Sequence, residues 1–285
     1  MTHRLPYLAN CSMLFTETPL LDRPAAAKAA GFDAVEFWWP FDRPSPADAE
    51  VDRFVAAVSD AGVQLVGLNF AAGDMPGGDR GLASWPGRTA EFLDSVQTAV
   101  GIGERLGTRA FNALYGNRVD GIAPEEQDDL AARNLADAAG AAARIGASVL
   151  LEPVSGAPCY PLRTADEVVA VLDRVERESE AGNLRMLADL YHLSANGDDL
   201  DTALARHHAR VGHVQIADAP GRHEPGTGTL DLDRHLDALE AAGYAGWVGL
   251  EYSPATSTDA GLGWLPRARR AASSTARTRT AGRTT

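Results

Sequence analysis

Eight short apolar runs alternate with longer amphipathic stretches along this chain. The runs cover residues 7–10, 34–39, 64–70, 110–115, 148–154, 185–191, 211–217 and 247–252. They are short, bounded by Gly or polar turns, and several are rich in β-branched residues, as buried strands are. The stretches between them carry apolar residues at helical spacing and predict helices over 46–61, 88–106, 124–145, 165–178, 231–242 and 258–272. Weaker helical patterns lie near 20–30 and 199–208. Pro46, Pro124 and Thr164 stand where helix N-termini are expected. Gly31, Gly62, Gly107, Gly146 and Gly243 each follow a helical stretch, the position where a glycine ends a helix.

Strand starts recur about every 34 residues, one βα unit each. Eight such units in about 265 residues predict a single (β/α)8 TIM barrel. The rival, an open doubly wound sheet, lacks the G-x-G-x-x-G that a dinucleotide fold places after its first strand. No linker divides the chain, so residues 1–265 are expected to form one catalytic domain. Residues 266–285 are expected to hold the end of the last helix and a disordered tail rich in Arg, Ser and Thr.

Composition adds exclusions. Hydrophobic residues at 45% and charged residues at 23% suit a globular protein. The net charge is −13, yet the tail alone carries six Arg and no acid, which leaves −19 on residues 1–265. So acidic a body repels phosphate backbones, and no nucleic-acid partner is expected. No apolar run approaches the roughly 20 residues of a membrane span. The N-terminal residues show no apolar signal core, and a cytoplasmic location is expected. Cys11 and Cys159 form no C-x-x-C pair and read as ordinary thiols.

In such a barrel, function gathers where the strands end at their C-termini. Four consecutive runs carry a polar residue within or near their C-terminal end: Glu152, Asp189, Gln215 and Glu251, spaced by 37, 26 and 36 residues. Three facing, buried carboxylates repel and take up protons unless a cation joins them. Three carboxylates and one amide oxygen are a hard donor set, suited to Mg²⁺ or Mn²⁺ more than to zinc. These four are the expected metal ligands.

Other residues surround that set. His192 lies three positions after Asp189, and His213 lies two before Gln215, on the same strand face. Arg222 sits in a shaped loop, 218–228, rich in Gly and Pro, and its guanidinium suits a carboxylate. Asn10, Ser12, Glu36 and Asn69 occupy early strand ends. His192, Arg222, Asn69, His213 and Glu36 form the expected substrate-binding set, with Glu36, a fourth acid, behind the ligands rather than among them. Trp38, Trp39 and Phe41 are candidates to wall the pocket.

Together these residues make the chain resemble the hydroxypyruvate isomerases of the xylose-isomerase-like barrel superfamily. The matching segments include 9–15, 31–37, 69–74, 151–153, 189–192, 212–218, 221–228 and 246–252. The run from Gly212 through Gly228 is the most specific. The resemblance implies that Glu152, Asp189, Gln215 and Glu251 bind the metal and that Glu152 and Glu251 are the acid–base pair. It implies an aldose–ketose type isomerisation of hydroxypyruvate and tartronate semialdehyde through a metal-stabilised enediolate. Ser155 stands where many members have Asn, and Leu68 where some have His. Both departures touch the pocket rim, so 2-oxo-tetronate isomerisation and ketose 3-epimerisation are the alternatives. An abasic-site endonuclease would want more His ligands and a basic face. A non-catalytic sugar-acid-binding barrel would not need the metal set. The expected partner is a small 2-oxo acid or sugar acid, and the fold admits pairing into a homo-oligomer.

Overall fold

In the computed structural model, which describes residues 3–271, every apolar run becomes a parallel strand. The strands are β1 Tyr7–Asn10, β2 Ala34–Phe37, β3 Gln64–Asn69, β4 Ala110–Asn112, β5 Ser148–Leu151, β6 Leu184–Asp189, β7 Val211–Ile216 and β8 Val248–Leu250. Each bonds to the next, and β8 returns to β1, so the sheet closes into the expected (β/α)8 barrel. Around it lie α1 Arg23–Ala29, α2 Asp48–Ala61, α3 Thr89–Leu106, α4 Pro124–Ala143, α5 Ala165–Glu178, α6 Leu190–Ala195, α7 Leu200–His207 and α8 Leu232–Ala241. The five glycines that follow helical stretches all have positive φ, between 65° and 103°. Thr164 caps α5 by accepting from the Glu167 N–H, while Glu167 accepts from the Thr164 N–H.

The core fills the layer between strands and helices. Phe92 of α3 meets Phe70 edge-on, and Phe70 stacks on Phe111 of β4. Among the described residues no helix is long and apolar enough to cross a membrane. Cys11 is buried and Cys159 exposed, both free.

Two expectations need correction. The helix expected over 258–272 is two short turns, α9 Thr258–Gly261 and α10 Arg267–Arg270. Gly261, Gly263 and Pro266 lie between or within them, and a proline has no N–H to continue the ladder. The sequence also shows no separate helix directly after the sixth strand, yet α6 begins at Leu190, with Asp189 as its N-cap.

The turn α10 ties down part of the basic segment. Arg267 and Arg270 donate to the carbonyls of Ala29 and Ala30, at the end of α1. Arg269 donates to the His3 carbonyl and lies over the Tyr7 ring. Such pairing at a helix C-terminus satisfies carbonyls that the helix leaves open. The expected disorder of the tail concerns residues 272–285, which lie outside the described residues.

Candidate active site

Asp189 is the last residue of β6, and its ladder partner on β7 is Gln215, so the two stand at one level of the barrel. Glu152 directly follows β5, and Glu251 directly follows β8. All four are at most 5% exposed. Glu152, Asp189 and His192 offer ligand atoms that lie within 4.8 Å of one another. Asp189 does two jobs, since its Oδ1 also accepts the His192 N–H that opens α6, at 3.0 Å.

A ring of donors fixes the two glutamates. Asn112, the last residue of β4, donates to Glu152 Oε1 at 2.7 Å. Asn10 donates to Glu251 Oε1 at 3.2 Å, and the Trp38 indole N–H donates to the same oxygen. Arg222 donates to Glu251 Oε2 at 2.8 Å and lies 3.9 Å from Asp189 Oδ2.

Below this ring, Glu36 acts as a hub. It accepts from Gln215 Nε2 at 2.8 Å, His213 Nε2 at 2.7 Å and Asn10 Nδ2 at 3.0 Å. Gly249 of β8 leaves the room: a Cβ there would stand 2.5 Å from Glu36 Oε1. Because Gln215 spends its NH₂ on Glu36, its Oε1 is left buried and without a hydrogen-bond partner. An orphaned buried acceptor is costly unless something positive meets it.

Electrostatics point the same way. Burial, together with the charges of Glu251 and Asp189, holds the Glu152 pKa well above the usual carboxylate range. Burial also raises Asp189, and it raises Glu251 to about 7 despite the Arg222 guanidinium beside it. The Arg222 guanidinium pairs with Glu251 and lies near Asp189, the neutral Asn112 amide donates to Glu152, and an oxygen lone pair of Gln215 stands unused. The donor chemistry of Glu152, Asp189, Gln215 and Glu251 suits a hard divalent cation. His192 differs. Its Nδ1 accepts the Ser155 N–H at 3.0 Å, with the Ser155 hydroxyl 2.7 Å away. A backbone N–H can only donate, so the neutral ring carries its proton on Nε2, 3.8 Å from Asp189 Oδ2. Burial, reinforced by Arg222, lowers the His192 pKa to about 3 and keeps it neutral. His192 thus presents a donor to the site rather than a lone pair.

Arg222 is placed by its loop. The buried Asp218 carboxylate accepts the N–H groups of Ala219, Gly226 and Leu230, which folds residues 218–230 around it. Arg222 adopts φ 58° and its guanidinium lies over the Tyr191 ring. Its Nε is buried without a partner.

Of the residues singled out in the sequence, Glu152, Asp189, Gln215, Glu251, His192 and Arg222 are gathered at one mouth. Glu36 and His213 bond each other beneath them, and Asn69 stands half-buried at the end of β3, opposite Asn112. Trp39 and Phe41 pack on each other, and Phe41 on Phe54 of α2, whereas Trp38 turns its N–H inward. Sequence reasoning missed Asn112 as the partner of Glu152. It also missed Tyr160, whose hydroxyl links the Tyr115 N–H to the Glu152 carbonyl. Asn112 carried the same signal as the acids, a polar residue inside an apolar run.

Residues 24–268 match the family model described as xylose isomerase-like TIM barrel. A Streptomyces coelicolor protein named "Putative hydroxypyruvate isomerase" is 54% identical over 92% of this chain and 96% of its own length. A 2-oxo-tetronate isomerase of Cupriavidus necator is 38% identical over 91% of this chain and 96% of its own. The crystal structure of a Brucella melitensis protein titled AP endonuclease, family 2, superposes with a TM-score of 0.82 at 34% identity, covering 92% of this chain and 98% of that one.

Proposed function

The chain belongs to the hydroxypyruvate isomerase family of xylose isomerase-like TIM barrels, and on that premise we propose that it interconverts hydroxypyruvate and tartronate semialdehyde. One observation carries the reading: buried Glu152 and Glu251, near enough for their charges to act on each other, stand at strand ends with Gln215, whose Oε1 lacks a partner. Glu152, Asp189, Gln215 and Glu251 would hold Mg²⁺ or Mn²⁺, which when bound would supply positive charge where oxyanion character develops on the substrate.

The chain's own residues do the rest. One glutamate of the pair takes the C3 proton, and the pair returns a proton to C2 while a hydroxyl proton moves between oxygens. Asn112 and Trp38 hold the carboxylates in place. Nε2–H of His192 and the guanidinium of Arg222 face the substrate oxygens. Glu36 and His213 orient Gln215, and Asn69 lines the rim. The acidic body opposes an endonuclease role, since a DNA backbone would meet a net −19 over residues 1–265.

The test is NMR of hydroxypyruvate in D₂O with metal-stripped protein, then with Mg²⁺ or Mn²⁺ restored. Metal-dependent tartronate semialdehyde carrying deuterium on carbon is the expected result. Turnover of a four-carbon 2-oxo acid instead would favour the activity of the Cupriavidus relative, and no turnover of either would overturn the reading.

A further inference from the structure

The connection after β3 is long for a βα loop, running from Phe70 to Arg88 before α3 begins. It is also rigidly built. Asp79 accepts from the Asp74 N–H and from Arg88, both at 2.8 Å. Gly81 donates to the Ala72 carbonyl and pairs with Tyr115. A side chain at Gly81 is excluded, because its Cβ would lie 2.0 Å from the Leu114 carbonyl oxygen.

This docking has a direction. Tyr115 receives Gly81 on one side, and on the other its N–H donates to Tyr160, which donates to the Glu152 carbonyl. The loop is therefore anchored to the strand end that carries Glu152. Arg80 immediately precedes the anchor. Its Nη1 is fixed by the carbonyls of Met75 and Asp79, at 2.9 and 2.7 Å. Among the described residues no carboxylate pairs with Arg80, although the chain holds 39 Asp plus Glu. Arg80 is half-buried, one residue from the Gly81–Tyr115 pairing that leads through Tyr160 to Glu152. A half-buried guanidinium held rigidly and left without a counter-ion is built for an anion that arrives from outside. The other cation at the mouth, Arg222, is already engaged by Glu251 and Asp189.

We propose that Arg80 binds the carboxylate of the substrate and so sets the preference of this site for 2-oxo acids over neutral ketoses. Arg222 then acts on the oxygens nearer the glutamates. The inference deepens the functional reading above and rests on its placement of the site.

The experiment compares wild type with Arg80→Ala and Arg80→Lys, each loaded with Mn²⁺ and checked for an unchanged Tm. Two quantities are read: KM and kcat for hydroxypyruvate, and the calorimetric Kd of glycerate, an unreactive carboxylate analogue. Arg80→Ala is expected to raise both KM and Kd by about 10- to 100-fold, with kcat changed by less than about threefold. Added guanidinium should restore part of the binding in Arg80→Ala, which a purely structural role would not show. Arg80→Lys, which keeps the charge and loses the fork, should fall between. KM and Kd within about twofold of wild type in Arg80→Ala would overturn the proposal. If wild type fails to isomerise hydroxypyruvate but its glycerate binding still depends on Arg80, the functional reading falls and this one stands.

Discussion

Gln215 donates its side-chain NH₂ to Glu36, and that one hydrogen bond decides which end of the amide faces the three carboxylates. Reversed, the amide would point two N–H donors at the place a cation would fill. Glu36→Gln removes the charged acceptor shared by Gln215, His213 and Asn10. Mn²⁺ affinity, measured by calorimetry, is expected to fall about 10- to 100-fold. An unchanged affinity would show that Gln215 needs no such orientation.

Replacing either glutamate of the pair by Gln keeps its volume and removes its proton chemistry. Glu152→Gln and Glu251→Gln are each expected to lower kcat by at least about 100-fold while circular dichroism stays that of wild type. Retention of wild-type kcat by both would exclude the acid–base assignment.

Metal binding should depend on pH with a definite sign. Burial raises the pKa of Glu152, Asp189 and Glu251, the last to about 7. A cation needs these groups charged, so binding near neutrality displaces protons. Mn²⁺ affinity should rise from about pH 5 to about pH 8, and calorimetry in buffers of different ionisation enthalpy should detect the released protons. Stability without metal moves the other way. Glu251 keeps in the fold a proton that the unfolded chain gives up near its ordinary 4.5. Its contribution is full below about pH 4.5 and is lost as pH rises through about 7. A Glu251→Gln variant lacks that loss, so Tm against pH for the two metal-free proteins should diverge across this window.

Arg222 depends on the fold of its loop, which gives two variants with separable effects. Arg222→Ala should mainly raise KM, by about 10-fold or more, with little change in Tm. Asp218→Ala leaves three backbone N–H groups without their acceptor. It should lower stability by about 1–3 kcal/mol in urea unfolding, besides weakening substrate binding. An Arg222→Ala enzyme with wild-type KM would remove that residue from the substrate side.

The barrel was legible because each buried strand is followed by a helix with its own start and stop residues. The strand ends were less so. The runs 34–39, 110–115 and 148–154 overshoot β2, β4 and β5 at the C-terminal side. There the chain leaves the ladder to aim side chains at the mouth, yet 113–115 and 152–154 stay buried and Trp38 and Trp39 half-buried, so apolar composition continues past the last paired residue. Within the site, the acids stood out because a carboxylate in an apolar run is expensive to bury. Asn112 lay in an apolar run as the acids did, but an amide is buried at lower cost than a carboxylate. Only contact shows that it serves Glu152, as only contact shows that Trp38 serves Glu251 and Ser155 serves His192.

The Asn10–Glu251 hydrogen bond joins residues 241 positions apart, and α10 fastens the same two regions from outside through Ala29, Ala30 and His3. During synthesis, the first strand can pair with β2 early but waits for nearly the entire chain before its second partner, β8, exists. Glu251 reaches its final donors only when the ring closes, so a fragment lacking β8 and α10 could form most of the helices and still present no assembled site. Loop-closure entropy of that range slows folding. Recovery of activity after dilution from urea should consequently lag behind recovery of helical ellipticity.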